Sequence, residues 1–321
     1  MLTRFLYAIV CVCILLLTSA WGFFGHEKIN RHAVFSLPPE MIVFYKQHLT
    51  YLVTHSTDPD KRRYMLPEEG PRHYIDLDHY DRRYWDSLAV PWPRAVERFG
   101  EDSLSRHGVL PWHFETMLHR LTGAFLARDQ ARILKLSAEL GHYVADAHVP
   151  LHTSSNHNGQ FTGQHGIHGL WESRIPELVA ETDFDFWVGQ ATYIREPRAF
   201  IWRIIRESAA AVDTVLGEEK RLSEAWPRDA RYAYENRKGL LVRNYASEYT
   251  KTYNKKMGNM VERRMRSSML AVASCWYTAW ANAGQPPLQT INSSGSSENE
   301  EKEAALLDRL FRQGKIFGRE H

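Results

Sequence analysis

His142, Asp146, His152, His168 and Glu172 all fall in one stretch, Leu140 to Glu172, which holds six of the chain's sixteen histidines. Composition alone would place roughly one or two there. His142 and Asp146 are four residues apart, as are His168 and Glu172. On a helix that spacing brings both side chains to one face. Pro150 ends the first helical segment, and His152 follows it on the turn. Imidazole and carboxylate groups so spaced suit Zn²⁺, which takes nitrogen and oxygen ligands at about 2.0–2.2 Å. The alternative is a histidine-rich surface loop, and further ligands elsewhere in the chain decide between the two.

Such ligands are present. Trp21-Gly22-Phe23-Phe24-Gly25-His26 follows an apolar N-terminal run. If the chain is cut after Ala20, Trp21 gains a free amine, and an α-amine with its own carbonyl oxygen forms a five-membered chelate that His26 is near enough to join. Alone, Trp21 would read as a core aromatic and His26 as an exposed histidine. The turn-like segment His55 to Tyr64 carries Asp58, Asp60 and Lys61, and His73 stands fifteen residues past Asp58. Trp21, His26, Asp58, His73, His142, Asp146, His152, His168 and Glu172 exceed the three or four ligands that one zinc takes. More than one metal is implied, and a carboxylate such as Asp146 can bridge two.

The elements that must position these residues are mainly helical. Pro38-Pro39 opens a helical pattern from Glu40 to Thr54; two further helices are expected at Trp112–Leu126 and Gln130–Ala147. Others are expected near Phe184–Gln190, from Pro197 to Leu222, and as one long helix over Val242–Ala283, whose Met and Trp series reads as core packing. Tyr74 and Ile75 could begin a short strand. Sustained alternation is otherwise scarce, and there is neither a glycine-rich phosphate loop nor a Gly-x-Ser-x-Gly elbow. Beyond Gln285 a Ser/Gly/Glu-rich segment reads as a flexible acidic linker, and Ala304, Leu307, Leu310 and Phe311 offer one face of a terminal helix that stays disordered or docks weakly.

With 321 residues, 44% apolar and 24% charged, the chain can bury a sizeable core. A net charge of +2 gives no electrostatic case for a nucleic-acid or membrane surface, although bound zinc could supply positive charge locally. Arg4 precedes about thirteen apolar residues and the small residues Thr18-Ser19-Ala20, the pattern of a secretory signal and too short for a bilayer span. A secreted or periplasmic protein cut after Ala20 is therefore expected. It would lose Cys11 and Cys13, leaving only Cys275 and no internal disulfide.

The whole pattern, Trp-Gly-x-x-Gly-His, Asp…His, His-x-x-x-Asp-x-x-x-x-x-His and His-x-x-x-Glu, resembles the zinc-dependent phospholipase C / S1–P1 nuclease superfamily over about Trp21 to Ala283. The resemblance implies an all-α, single multi-helix domain; with the signal segment read at 1–20 and the flexible acidic linker and tail at 286–321, that domain covers 21–285. It also implies three zinc ions: Asp58, His73, His142 and Asp146 on the first, the Trp21 amine and carbonyl, His26 and a bridging Asp146 on the second, and His152, His168 and Glu172 on the third. Such a cluster activates water for attack on phosphorus and stabilises the leaving oxygen. Asp58 would orient or deprotonate that water and Lys61 would neutralise the phosphoryl group, although Lys61 reads equally as a solvated lysine.

The short Trp21–His26 and Asp58–His73 spacings, His-Tyr-Ile-Asp and Trp171 before Glu172 lean to a nuclease cleaving single-stranded nucleic acid. Tyr74 would then stack a base, worth about 1–3 kcal/mol, and Asp76 would read its edge; the two read equally as a core aromatic and a cap. The short His152–His168 gap is more like the phospholipases, and Glu172 and the absence of a Gly-Gly-Asn segment depart from the nucleases; a nuclease is the expectation, with a phospholipase C acting on lipid headgroups as the alternative. A non-catalytic zinc-binding protein is the reading from outside the enzymes. The expected partner is a phosphodiester substrate, with no obligate protein partner and a monomeric state.

Overall fold

The computed structural model describes residues 22–237, 239–291 and 298–313. The signal segment, its cleavage point and Trp21 lie outside them. The described chain is almost wholly helical: α1 (Phe23–Ala33), α2 (Pro39–Gln47), α3 (Leu49–Thr54), α4 (Asp58–Arg62), α5 (Trp85–Leu88), α6 (Trp92–Phe99), α7 (Glu101–His107), α8 (Leu110–Ala127) and α9 (Gln130–Ala147). Then come α10 (Ile167–Gly169), a π-helical turn Leu170–Arg174, α11 (Ile175–Asp183) and α12 (Pro197–Ala225). An antiparallel hairpin, β1 (Tyr232–Arg237) and β2 (Leu240–Tyr245), precedes α13 (Ser247–Lys256), α14 (Met260–Asn282) and α15 (Glu298–Gln313).

Helix α9 is the axis of the fold. Asp129 caps it by accepting from the Arg132 amide at 3.1 Å, and every residue from Ser137 to Ala147 is buried. A helix apolar on nearly all sides must be surrounded, and α1, α8 and α14 pack around it. The Met and Trp series lies in α14 as core: Met269 and Trp276 are fully buried, Trp276 stacks on Tyr45 at 4.9 Å, and its indole donates to the Ser137 carbonyl at 2.9 Å.

The approach of α1 to α9 sets the site. A Cβ on Gly141 would stand 2.0 Å from Asn30 Oδ1, so glycine here leaves room for the Asn30 side chain that joins the two helices. Asn30 fastens the contact, its amide donating to Leu52 O at 3.2 Å and to Ala138 O at 3.0 Å. His26 lies one turn before Asn30, and His142 directly follows Gly141. The contact therefore brings their rings together, stacked at 3.9 Å.

Several elements differ from expectation. The helix expected over Glu40–Thr54 breaks at His48 into α2 and α3. Phe184–Gln190 is not helical; the chain there is extended, and the strap continues with the Ala191 amide on Ser36 O and the Ile194 amide on Thr278 Oγ1. The helix expected from Val242 begins instead as strand β2 and breaks at Gly258-Asn259, both at positive φ. No strand forms at Tyr74-Ile75. The terminal helix is present as α15 and lies against the body. Cys275 is buried and unpaired, and burial pushes its thiol pKa up.

Candidate metal centre

Three groups of side chains converge on one spot, each with ligand atoms within 4.8 Å of one another: His26, His142 and Asp146; Asp60, His73 and His142; His152, His168 and Glu172. Asp146 lies between them. Its Oδ2 is 2.9 Å from His73 Nδ1 and 3.3 Å from His142 Nε2, while its Oδ1 is 3.5 Å from His26 Nε2 and 3.9 Å from His152 Nδ1. Glu172 ties the third group to the second, with Oε1 3.5 Å from His26 Nε2 and Oε2 2.6 Å from His168 Nε2.

The backbone holds three of the rings by Nδ1. His142 Nδ1 faces Ser56 O at 2.8 Å, His152 Nδ1 faces His73 O at 2.6 Å, and His168 Nδ1 faces His157 O at 3.1 Å. A carbonyl only accepts, so Nδ1 carries the proton in all three rings and Nε2 is left with a lone pair. His73 Nε2 lies 3.6 Å from Glu69, a fully buried carboxylate that also accepts from Tyr143 and from Arg72. Such outer partners are what orient metal-bound imidazoles.

Electrostatics supply a test of fit. Burial lowers the pKa of His142 and of His168 despite nearby carboxylates, so both rings are neutral near pH 7. The His168 Nε2 lone pair then meets a Glu172 carboxylate oxygen at 2.6 Å, and the His142 lone pair meets Asp146 Oδ2 at 3.3 Å. Burial alone would neutralise Asp146 and Glu172, but the surrounding histidines hold both far below the usual carboxylate range. Acceptor facing acceptor in a dry site is costly, and a cation between them removes the cost. The donor set, imidazole nitrogen with carboxylate oxygen, fits zinc. His26 is the exception among the rings: burial lowers its pKa, but the Glu172 hydrogen bond and the Asp146 charge outweigh that and raise it to about 9.

Of the residues singled out in the sequence, His26, His73, His142, Asp146, His152, His168 and Glu172 come together. Asp58 does not. Its Oδ2 faces His55 Nδ1 at 2.6 Å and its Oδ1 faces Lys61 Nζ at 3.4 Å. Asp60, two residues on, takes the place beside the cluster, with Oδ1 3.7 Å from both His73 Nδ1 and His142 Nε2. Both aspartates were visible in Asp-Pro-Asp-Lys, and only the seating of α4 separates them. Tyr74 and Asp76 are buried. The Tyr74 hydroxyl donates to Arg106 O at 3.3 Å, and Asp76 lies 3.7 Å from His107 Nδ1. Tyr74 is therefore a core aromatic, with no open face to offer a base. Gly108, at positive φ, passes so close to Tyr74 O that a Cβ would stand 2.1 Å from it.

A sequence model of the family described as zinc dependent phospholipase C matches residues 25–215, more than half of the chain and a span that includes all three side-chain groups. The chain belongs to that family. It is accordingly a zinc-dependent hydrolase acting on phosphoester bonds. No curated protein and no solved structure matches it. No helix among the described residues is long and apolar enough to cross a membrane.

Proposed function

We propose that the protein is a trinuclear zinc hydrolase of the phospholipase C type, cleaving the phosphodiester of a lipid headgroup. The observation that carries the metal count is the position of Asp146, whose two oxygens face two different ligand groups, with Glu172 leading to a third. Asp60, His73 and His142 with Asp146 would hold one ion, and His26 with Asp146 a second. His152, His168 and Glu172 would hold the third. Zinc held there supplies positive charge to the phosphoryl oxygens and acidifies water for attack.

The chain's own residues do the rest. Ser56 O, His73 O and His157 O fix the tautomers of three ligand rings. The packed shell around the rings keeps bulk water out, which strengthens every charge interaction inside. Asp58 holds Lys61 at 3.4 Å within α4, where its ammonium can bind and orient an incoming phosphate.

Burial of Tyr74 and Asp76 supports the lipid reading over nucleic acid, since the two side chains that would recognise a base are committed to the core. A small pocket of about 30 Å³, with Ile29, Val149, Trp171 and Met265 in its wall, borders His26 and Glu172. One zinc-loaded sample assayed on phosphatidylcholine and on single-stranded DNA and RNA tests the choice. Turnover of lipid above nucleic acid is expected; the reverse order returns the protein to the nucleases, and turnover of neither leaves a zinc-binding protein. Export with cleavage after Ala20 belongs to the same proposal, and N-terminal sequencing of the secreted protein should read Trp-Gly-Phe-Phe.

A further inference from the structure

The C-terminal helix α15 does not lie on an arbitrary face. Phe311 packs on Phe23 with ring centroids 5.2 Å apart and edge-on to Tyr64 at 5.3 Å. Phe23 opens α1, one turn before His26, and Tyr64 follows α4, which carries Asp60. One ring thus spans two elements that each deliver a ligand to the metal centre. Asp308 pairs with Lys61 at 3.0 Å, Leu307 is 2% exposed, and Glu303 pins the first half of the helix to Lys135 of α9 at 2.6 Å. Lys61 also lies over the Phe23 ring at 6.0 Å.

An ammonium group over the Phe23 ring, with Tyr64 on the other side of Phe311 and a metal centre that hydrolyses phosphoesters nearby, is the composition expected of a site for a molecule with an anionic head and an apolar body. Asp308 and Phe311 present those two chemistries, three residues apart on one helix face. Asp58 already satisfies Lys61 locally at 3.4 Å, so the second carboxylate is not needed to pair the lysine.

We infer that Phe23, Tyr64 and Lys61 form the docking site for a phospholipid substrate, and that the chain's own C-terminal helix occupies this site as an intramolecular competitor. The inference rests on the hydrolase reading above. The helix is tethered by the segment after α14, so its local concentration is high and it competes at any protein concentration. A substrate must displace it, and the apparent affinity for substrate falls by the fraction of time the helix is docked.

The test uses the full-length, zinc-loaded chain with Leu307→Asp, and separately Phe311→Ala, each of which weakens docking without touching α1 or α4. Two readouts are taken: KM and kcat on a short-chain soluble phosphatidylcholine, and the rate at which an acylating reagent modifies Lys61. Both variants are expected to lower KM by roughly tenfold, leave kcat unchanged, and speed Lys61 acylation. Unchanged acylation and unchanged KM overturn the docked position of the helix. Faster acylation with unchanged KM in an enzyme that hydrolyses the lipid overturns the shared site alone. Absence of hydrolysis in the wild type and in both variants overturns the hydrolase reading, and the competitor with it.

Discussion

Asp58 and Asp60 stand two residues apart, and the structure gives them different work. Asp58 is engaged with His55 at 2.6 Å and Lys61 at 3.4 Å, whereas Asp60 faces two ligand rings at 3.7 Å. Asp60→Asn keeps the shape and removes the charge and one anionic ligand. Loss of an outer partner of a metal site costs 10–100-fold in affinity, and loss of a direct ligand costs at least the upper figure, about 2.7 kcal/mol at 1.36 kcal/mol per decade. Asp58→Asn removes a half-shielded ion pair, worth about 1 kcal/mol of folding stability, and leaves the ligand set intact. Competition for zinc against a chromogenic chelator, run beside urea unfolding, separates the two. We expect Asp60→Asn to lose one ion's affinity by about 100-fold or more, and Asp58→Asn to bind as the wild type does. Weakened zinc binding in Asp58→Asn with normal binding in Asp60→Asn would refute the assignment.

Three further outcomes follow from the geometry. Gly141→Ala forces a Cβ to 2.0 Å from Asn30 Oδ1, on a side chain already held by two hydrogen bonds. It should lower stability by about 2–3 kcal/mol, and an unaltered urea midpoint would show that the α1–α9 contact is looser than described. Glu69→Gln, behind His73, should weaken zinc binding by 10–100-fold with the fold retained; an unaffected chelator titration speaks against its orienting role. His26, whose pKa is raised to about 9, carries a proton at pH 7 that a dication at the same position must displace. Zinc binding should therefore release that proton, and apparent affinity should rise with pH up to about 9. Calorimetry in two buffers of different ionisation enthalpy reads the release, and a value near zero counts against His26 as a ligand.

The candidate ligands of α9 and of the stretch from α10 to the π-helical turn were legible because helical spacing is local: four residues on a helix are neighbours wherever the helix goes. The seating of α4 was not legible, since Asp-Pro-Asp offers two carboxylates and only the packing of α4 against α9 and α15 selects one. The end of β2, from Val242, was absorbed into a helix and the rest of the hairpin was missed, because its signals, alternating aromatic residues and Gly239 at positive φ, sit directly before a long helical pattern. Tyr74 carries the same lesson: His-Tyr-Ile-Asp gave no sign that Gly108 packs against the Tyr74 backbone and ring. The apolar face of α15 could be seen in Leu307, Leu310 and Phe311, but its target could not, because Phe23 and Tyr64 lie more than two hundred residues away in sequence.

The central claim is that three ligand groups hold three zinc ions around Asp146. Crystals of the secreted protein, with diffraction recorded on both sides of the zinc absorption edge, test it most directly. Three anomalous peaks should appear, one at Asp60/His73/His142, one at His26/Asp146 and one at His152/His168/Glu172. A single peak, or peaks away from these side chains, would contradict it.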